Sequence, residues 1–484
     1  MNTDLTSLKP ALVWKHFAAM TQIPRPSFHE EKIRRYVLDV ARSLGLECRE
    51  DAAHNVYVRK PASKGMENRA GVILQAHLDM VPQKNNDKKF DFLKDPIRAY
   101  VDGDWVTADG TTLGADNGIG AAAILAVLED DTLEHGPLEA LFTATEETGM
   151  AGAFGLKKGL LKGDILLNLD SETEGELYVG CAGGLDANIR FRSVPEPTPA
   201  RNYTAAIVAV KGLKGGHSGI QIVCQRANAN KLLFRLLRRW TAAHDLLLCS
   251  VDGGGLRNAI PREAFAVFGV PAETAGDVCE RCRAFAVEIV EEFKYTEPNL
   301  QMTLNKIEWV EWVLDPVTMQ SLVGALVGLP NGVLAMSHAV EGLVETSSNL
   351  ASVKFGAEGI VVTTSQRSSV ESAKRYAAQT VEAVLRLSGA EVAHSDGYPG
   401  WSPDPDSYLL HVTEQCYERL FAVKPKVRAI HAGLECGLFL EKYPELDMVS
   451  FGPTLRGVHS PDERLEIATV QKFWDLLCAV VGSL

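Results

Sequence analysis

The chain has 484 residues, 46% of them apolar and 23% charged, with a formal net charge of −13. Such a length favours two domains over one, the balance is that of an ordinary globular protein, and the negative charge argues against a non-specific nucleic-acid binder, which needs basic patches. No apolar stretch approaches the roughly 18 residues of a membrane span, and MNTDLTSLKP lacks a basic segment followed by an apolar one, so neither a membrane segment nor a secretory signal is expected.

In chain order, Ser27-Phe-His-Glu30 reads as a capping box. Ile33, Val37, Leu38, Ala41 and Leu44 follow at helical spacing, and Gly45 is a natural stop. Residues 55–58 and 72–76 read as strands, 118–128 as a helix of small apolar residues, 138–145 as a strand, 152–159 as a short helix and 164–169 as a strand. Strands alternating with helices imply an α/β sheet with both faces covered. Near 186–205 the pattern changes, and SVPEPTPARNY reads as a loop or linker. Beyond it, strands such as 205–210 and 264–270 alternate with long helices at 227–240 and 370–387, which suggests a separate α+β unit. A second break, HSDGYPGWSPDPDS at 394–407, precedes a return to α/β character that ends in an amphipathic helix over 467–481. That last segment is short for a domain of its own. It is expected to complete the first, so that 1–185 and 395–484 form one discontinuous domain and 186–394 an insertion. The nine cysteines are scattered apart from Cys279-Glu-Arg-Cys282, a single CxxC in a helical-looking stretch. One such pair is weak for zinc, and reduced thiols in a cytoplasmic setting are expected.

The apolar strand of GVILQAHLDM, at 71–80, ends on His77 and Asp79, and burying these costs free energy unless they find partners. The same oddity recurs: Glu146 and Glu147 follow LFTAT, Asp170 follows ILLNL, and Asp116 in GADNG precedes a helix. If the strands are parallel, these groups converge on one rim, because sites in open α/β sheets form at the carboxyl ends of strands. Crowded carboxylates repel, and a divalent cation removes the penalty. A mixed His and Asp/Glu set suits zinc, cobalt or manganese. Two ions would need a second histidine, for which His431 (AIHAGLECG) and His459 (GVHSPDE) are the candidates. Taken singly the signals are weak: adjacent glutamates are usually a solvated face, and Asp116 alone could be a helix N-cap. Their repetition at element boundaries favours a metal site. A pair of metals points to hydrolysis, with one carboxylate of the Glu146–Glu147 pair kept off the metals to take a proton from water. Asp79 could fix the orientation of His77.

HLD at 77–79, GADNG at 114–118, TATEETG at 143–149, NLDSE at 168–172 and HSPDE at 459–463 together resemble the co-catalytic zinc peptidases, the group of carnosinases, bacterial dipeptidases and glutamate carboxypeptidases. Within it, the chain looks most similar to the cytosolic aminoacyl-histidine dipeptidases, over essentially its whole length. The resemblance implies an α/β, zinc-exopeptidase-like three-layer catalytic domain with an inserted α+β lid. It implies two divalent metal ions per subunit, zinc first and cobalt or manganese as alternatives. Asp116 would bridge them, His77 and Asp170 would complete one site, and Glu147 and His459 the other. Glu146 would be the general base, Asp79 would orient His77, and the Asp116–Asn117 peptide would be cis. GLKGGHSGI at 212–220 resembles the family's lid motif, which makes His217 the group that supports the tetrahedral intermediate. RNAIPRE supplies Asn258, SQRSS supplies Arg367 for the substrate's terminal carboxylate, and HAGLECG supplies Gly433. Without the resemblance, His217 and Arg367 would read as surface groups.

In carboxypeptidase relatives a glutamate stands where this chain has Asp170, and aspartate there goes with aminopeptidase and dipeptidase activity. The implied function is metal-dependent hydrolysis of dipeptides with a free amino terminus, Xaa-His and broader, by a cytoplasmic homodimer whose lid closes over the site. Whether His217 serves its own chain or its partner's is left open. The rival reading is an aminoacylase-type hydrolase of N-acylated amino acids. A non-catalytic metal-binding protein is disfavoured by the intact Glu146, and Gly253-Gly-Gly255 lacks the GxGxxG of a nucleotide site.

Overall fold

The computed structural model describes residues 4–193, 195–198, 202–242, 245–308, 311–356 and 359–484. The chain falls into two compact units: Met1–Gly180 with Pro403–Ala429 and Leu434–Leu484, and Cys181–Ser402 with Ile430–Gly433.

The first unit is built on an eight-stranded sheet, in the order Glu47–Glu50, Val56–Lys60, Leu138–Thr143, Val72–His77, Ile165–Asn168, Asp447–Ser450, Glu176–Cys181, Lys426–Ile430. Its four central strands, from Leu138–Thr143 to Asp447–Ser450, run parallel. Every residue of Val72–His77, Leu138–Thr143 and Ile165–Asn168 is buried. Both faces of the sheet are therefore covered, which is the three-layer arrangement expected when strands read as continuous apolar runs. The helix Ala115–Glu129 packs on the sheet and on Ala11–Thr21. It is apolar and small all round and almost wholly buried, with regular geometry only from Gly118. The C-terminal helix Ile467–Ser483 packs on Tyr408–Phe421.

The capping box is not formed. Helix Glu31–Ser43 starts without a side-chain cap, and the Ser27 hydroxyl donates instead to Asp79 Oδ2 at 2.8 Å. A helix cap would use the serine oxygen as acceptor of a backbone N–H, whereas here the hydroxyl is turned to donate to a buried carboxylate, a charge-assisted bond. The 152–159 helix is shorter than expected and displaced, at Ala151–Gly155.

The second unit carries a nine-stranded antiparallel sheet. Its order is Gln301–Lys306, Tyr203–Lys211, Ala264–Pro271, Leu247–Gly254, Val344–Gly356, Gly359–Ser368, Gly183–Phe191, Glu391–His394, with Gly332–Met336 also paired to Val344–Gly356. Helices Ala229–Thr241, Ala275–Glu292, Pro316–Gly328 and Glu371–Leu387 share one core with it, centred on Trp240, Phe268 and Phe285. In the linker at 193–203, residues 194 and 199–201 lie outside the described set, while Glu196–Pro197 pairs with Trp312–Val313. None of the nine cysteines, all among the described residues, is in a disulfide, and Cys279 and Cys282 sit on the helix Ala275–Glu292. Among the described residues no helix is long and apolar enough to cross a membrane.

Candidate metal centre

Parallel strands put their carboxyl ends on one rim, and that rim collects the predicted ligands. His77 is the last residue of Val72–His77, Glu146 and Glu147 follow Leu138–Thr143, and Asp170 follows Ile165–Asn168. His77 Nε2 lies 3.2 Å from Asp116 Oδ1 and 3.4 Å from Asp170 Oδ1. His459 Nε2 lies 3.1 Å from Asp116 Oδ2 and 2.9 Å from Glu147 Oε2. Asp116 thus turns one oxygen to each imidazole. Two groups of ligand atoms result, His77/Asp116/Asp170 and Asp116/Glu147/His459, each with its atoms within 4.8 Å of one another. Glu146 joins His77 and Glu147 in a third such group. The Asp116–Asn117 peptide is cis.

Electrostatically the rim demands positive charge. Burial favours neutral His77, but the carboxylates of Asp170, Asp116 and Asp79 outweigh it and hold the ring well above the ordinary histidine range. Hydrogen bonds to Asp116 and Glu147 push His459 up to about 11. Burial pushes Asp170 up to about 6 and Glu172 up to about 8, and it also raises Glu146. The buried Glu147 Oε1 has no hydrogen-bond partner. Imidazole and carboxylate donors converging on a shared aspartate, with an orphaned oxygen among them, fit divalent cations.

The surroundings hold these groups in place. His77 Nδ1 faces Asp79 Oδ1 at 3.3 Å, so Nε2 is turned toward the carboxylates. Asp79 also accepts from the backbone N–H of Glu146 (2.9 Å) and Glu147 (3.2 Å), tying two strand ends together. Thr145 and His459 have φ of 54° and 62°, a left-handed region that non-glycine residues occupy where the surroundings compel it.

Sequence reading missed several of these supports. Arg25, 1% exposed, donates from Nη1 to the carbonyls of Leu78 (2.9 Å) and Asp79 (3.1 Å) and from Nη2 to that of Gly114 (2.5 Å). It packs so closely that a Cβ at Gly114 or Gly118 would come within 2.7 or 2.5 Å of Nη2, which is why GADNG begins and ends in glycine. Glu435, within the HAGLECG stretch, is buried. Its Oε2 accepts from Gln75 and Thr143, each at 2.7 Å, and burial pushes it up to about 7. Arg25 lies far away in sequence, so no local pattern announces it.

The predicted substrate residues all lie in the second unit. His217 Nδ1 accepts the N–H groups of Gly219 and Ile220, both at 3.1 Å, which leaves the ring proton on Nε2. Burial, aided by Arg367, pushes it down to about 4, so it is neutral near pH 7. Asn258 is exposed, and its carbonyl accepts from Ser218 N–H at 2.7 Å. Arg367 lies within the strand Gly359–Ser368, 7% exposed. Its Nη1 donates to Tyr398 Oη at 2.6 Å, while its buried Nε has no partner. A Cβ on Gly433 would sit 2.9 Å from the Tyr398 ring.

The other histidine candidate, His431, belongs to this unit and to none of the ligand groups, and its Nε2 is 2.8 Å from Ser347 Oγ. Burial, then Arg367, pushes it down from 6.5 to about 3. Since the unfolded chain binds this proton more readily, the neutral ring's contribution is complete above about 6.5 and lost as pH falls toward 3. His431→Asn should therefore flatten the acid limb of stability by a few kcal/mol. Urea midpoints for both proteins between pH 7 and pH 4, in chelator throughout, measure it, and parallel curves would refute it.

A sheet with converging imidazole and carboxylate ligands at its carboxyl rim defines a metallohydrolase, and the chain belongs to peptidase family M20/M25/M40, whose family model matches residues 73–483. It is 46% identical over 482 residues to the cytosol non-specific dipeptidase of Escherichia coli, spanning 100% of this chain and 99% of that protein. It is also 46% identical to the crystal structure of aminoacylhistidine dipeptidase from Vibrio alginolyticus, with a TM-score of 0.93 over 100% of this chain and 98% of that one. Aminopeptidase PepT from Bacillus cereus shares the fold alone, at 14% identity and a TM-score of 0.58 over 98% of each chain.

Proposed function

We propose that this protein is a metal-dependent dipeptidase that cleaves dipeptides with a free amino terminus, Xaa-His among them. The observation that carries the reading is the Asp116 carboxylate shared between two histidine-containing ligand groups, with Glu146 beside them. We take the first unit as the catalytic domain and the second, Cys181–Ser402 with Ile430–Gly433, as the lid expected over 186–394. Zinc is the cation we favour, with cobalt or manganese as alternatives, held in pairs by His77, Asp116, Asp170, Glu147 and His459. Bound there, divalent cations polarise a carbonyl and ease the ionisation of water.

The chain's own residues supply the rest. Glu146, kept out of the two groups that share Asp116, takes a proton from the attacking water and passes it to the departing amine. Asp79 holds His77 and the Glu146–Glu147 backbone in register. His217 presents a neutral Nε2–H, a hydrogen-bond donor for the oxyanion of the tetrahedral intermediate. Arg367 is a buried guanidinium, and among the described residues no carboxylate pairs with it, so a substrate carboxylate is its natural counter-ion. Asn258 and Gly433 complete the substrate contacts. A guanidinium for the carboxylate and an acidic rim for the amine together suit a substrate with both termini free, such as a dipeptide. The whole-chain likeness to two dipeptidases favours this reading over an aminoacylase. The relative's cytosolic name and cysteines that form no disulfide among the described residues support a cytoplasmic setting, and a homodimer is the assembly we favour.

The test is a panel of Xaa-His and other dipeptides, their C-terminal amides and N-acetyl amino acids, run with and without chelator. Dipeptides should be cleaved and chelation should abolish turnover. Arg367→Ala should raise KM about 10- to 100-fold for dipeptides, the size of a lost charged hydrogen-bonding pair, and little for amides. Preference for N-acetyl amino acids, or undiminished cleavage in chelator, would overturn the proposal.

A further inference from the structure

Glu463 closes the HSPDE stretch, four residues after His459, and is 2% exposed. Its Oε2 accepts the backbone N–H groups of Leu113 (2.8 Å) and Gly114 (3.0 Å), and its Oε1 those of Ala115 (2.7 Å) and Asp116 (3.2 Å). One buried carboxylate thus clasps four consecutive amides of the loop that carries the shared aspartate. All its acceptor positions face N–H donors, an arrangement a carboxylate meets fully and a carboxamide meets by half. The loop bearing Glu463 is itself braced: Glu463 N–H donates to Ser460 O (3.1 Å), Ser460 Oγ to Gly457 O (2.6 Å), and Thr107 Oγ1 to Glu463 O (2.8 Å). His459 rides on this loop.

Two buried clamps therefore meet at the Asp116 loop from opposite ends of the sequence. Arg25 ties Gly114 to the backbone of Leu78 and Asp79, beside His77. Glu463 ties the same loop to the segment of His459. The first clamp serves the group His77/Asp116/Asp170 and the second the group Asp116/Glu147/His459.

We infer that Glu463 is a positioning residue that holds the Asp116 loop to the His459 loop, so that its loss selectively weakens the second cation site and leaves the first, which Arg25 still braces. The inference rests on the two-cation reading of the site. It treats Glu463 as neither a ligand nor a group that touches substrate.

Metal-stripped full-length protein is titrated with Co2+, read by visible absorption and by metal content after dialysis. Wild type should take up two ions per chain. Glu463→Gln should keep one at wild-type affinity and bind the second about 10- to 100-fold more weakly, the cost typical of losing a group that orients a ligand. Its activity should recover at raised Co2+ with KM unchanged, which a general loss of structure would not produce. Glu463→Asp keeps the charge but not the reach, should fall between the two, and carries the same test if the glutamine variant does not fold. Two wild-type affinities in Glu463→Gln, or equal weakening of both sites in a folded variant, would overturn the inference. Fewer than two ions in wild type would instead overturn the two-cation reading.

Discussion

Glu146→Gln is expected to lower kcat on a dipeptide by about 100- to 10,000-fold, the range supplied by a positioned general base. The substitution keeps volume and polarity and removes only the ability to accept a proton from water. The link from this residue to Asp79 runs through its backbone N–H, which the change leaves in place. The ligand groups that share Asp116 do not contain Glu146, so metal content should stay at the wild-type value. Burial pushes this carboxyl well above the ordinary glutamate range. Parallel measurement of kcat and bound metal checks the result. Turnover near the wild-type rate would remove Glu146 from its role.

Asp116→Asn should be comparably damaging, by a different route. One oxygen faces His77 and the other His459, at 3.2 and 3.1 Å, so the carboxylate belongs to both ligand groups. A carboxamide offers one oxygen and one NH2, and the NH2 cannot bind a cation. At most one group survives. Several kcal/mol of transition-state stabilisation would go with it, a loss of about 1,000-fold or more in kcat/KM. Unlike Glu146→Gln, this variant should hold no more than one ion per chain after dialysis. A folded Asp116→Asn protein that retains two ions would show that the aspartate is not shared.

The two substitutions separate the groups we propose as reagents of the reaction from their support. The same distinction governs Arg25, Ser27, Glu435 and Glu463. They touch backbone carbonyls, a carboxylate, neighbouring side chains and backbone amides, and they act by holding other groups still. Arg25 lies against the Asp116 loop only because the fold brings residues 25, 78 and 114 together.

Local chemistry made much of this protein legible in its sequence. Apolar runs that end in His77, Glu146 and Asp170 stand out because burying such groups without partners costs free energy, so their repetition at strand ends implies something that satisfies them. Continuous apolar strands alternating with helices gave the covered α/β sheet for the same reason. Where a signal depended on which of two partners wins, local reading failed: Ser27 has the spacing of a helix cap, yet its hydroxyl goes to Asp79 across the fold. His431 and His459 look equally eligible as ligands in the sequence. The tertiary structure separates them by giving one to Ser347 and the other to Asp116 and Glu147. Sequence by itself determined the residue types and the strand ends on which they sit. Only the tertiary structure decided which side chains meet, because hydrogen bonds and charge pairing act over a few ångströms of space while the partners stand from 39 (His77 and Asp116) to 343 (Asp116 and His459) residues apart.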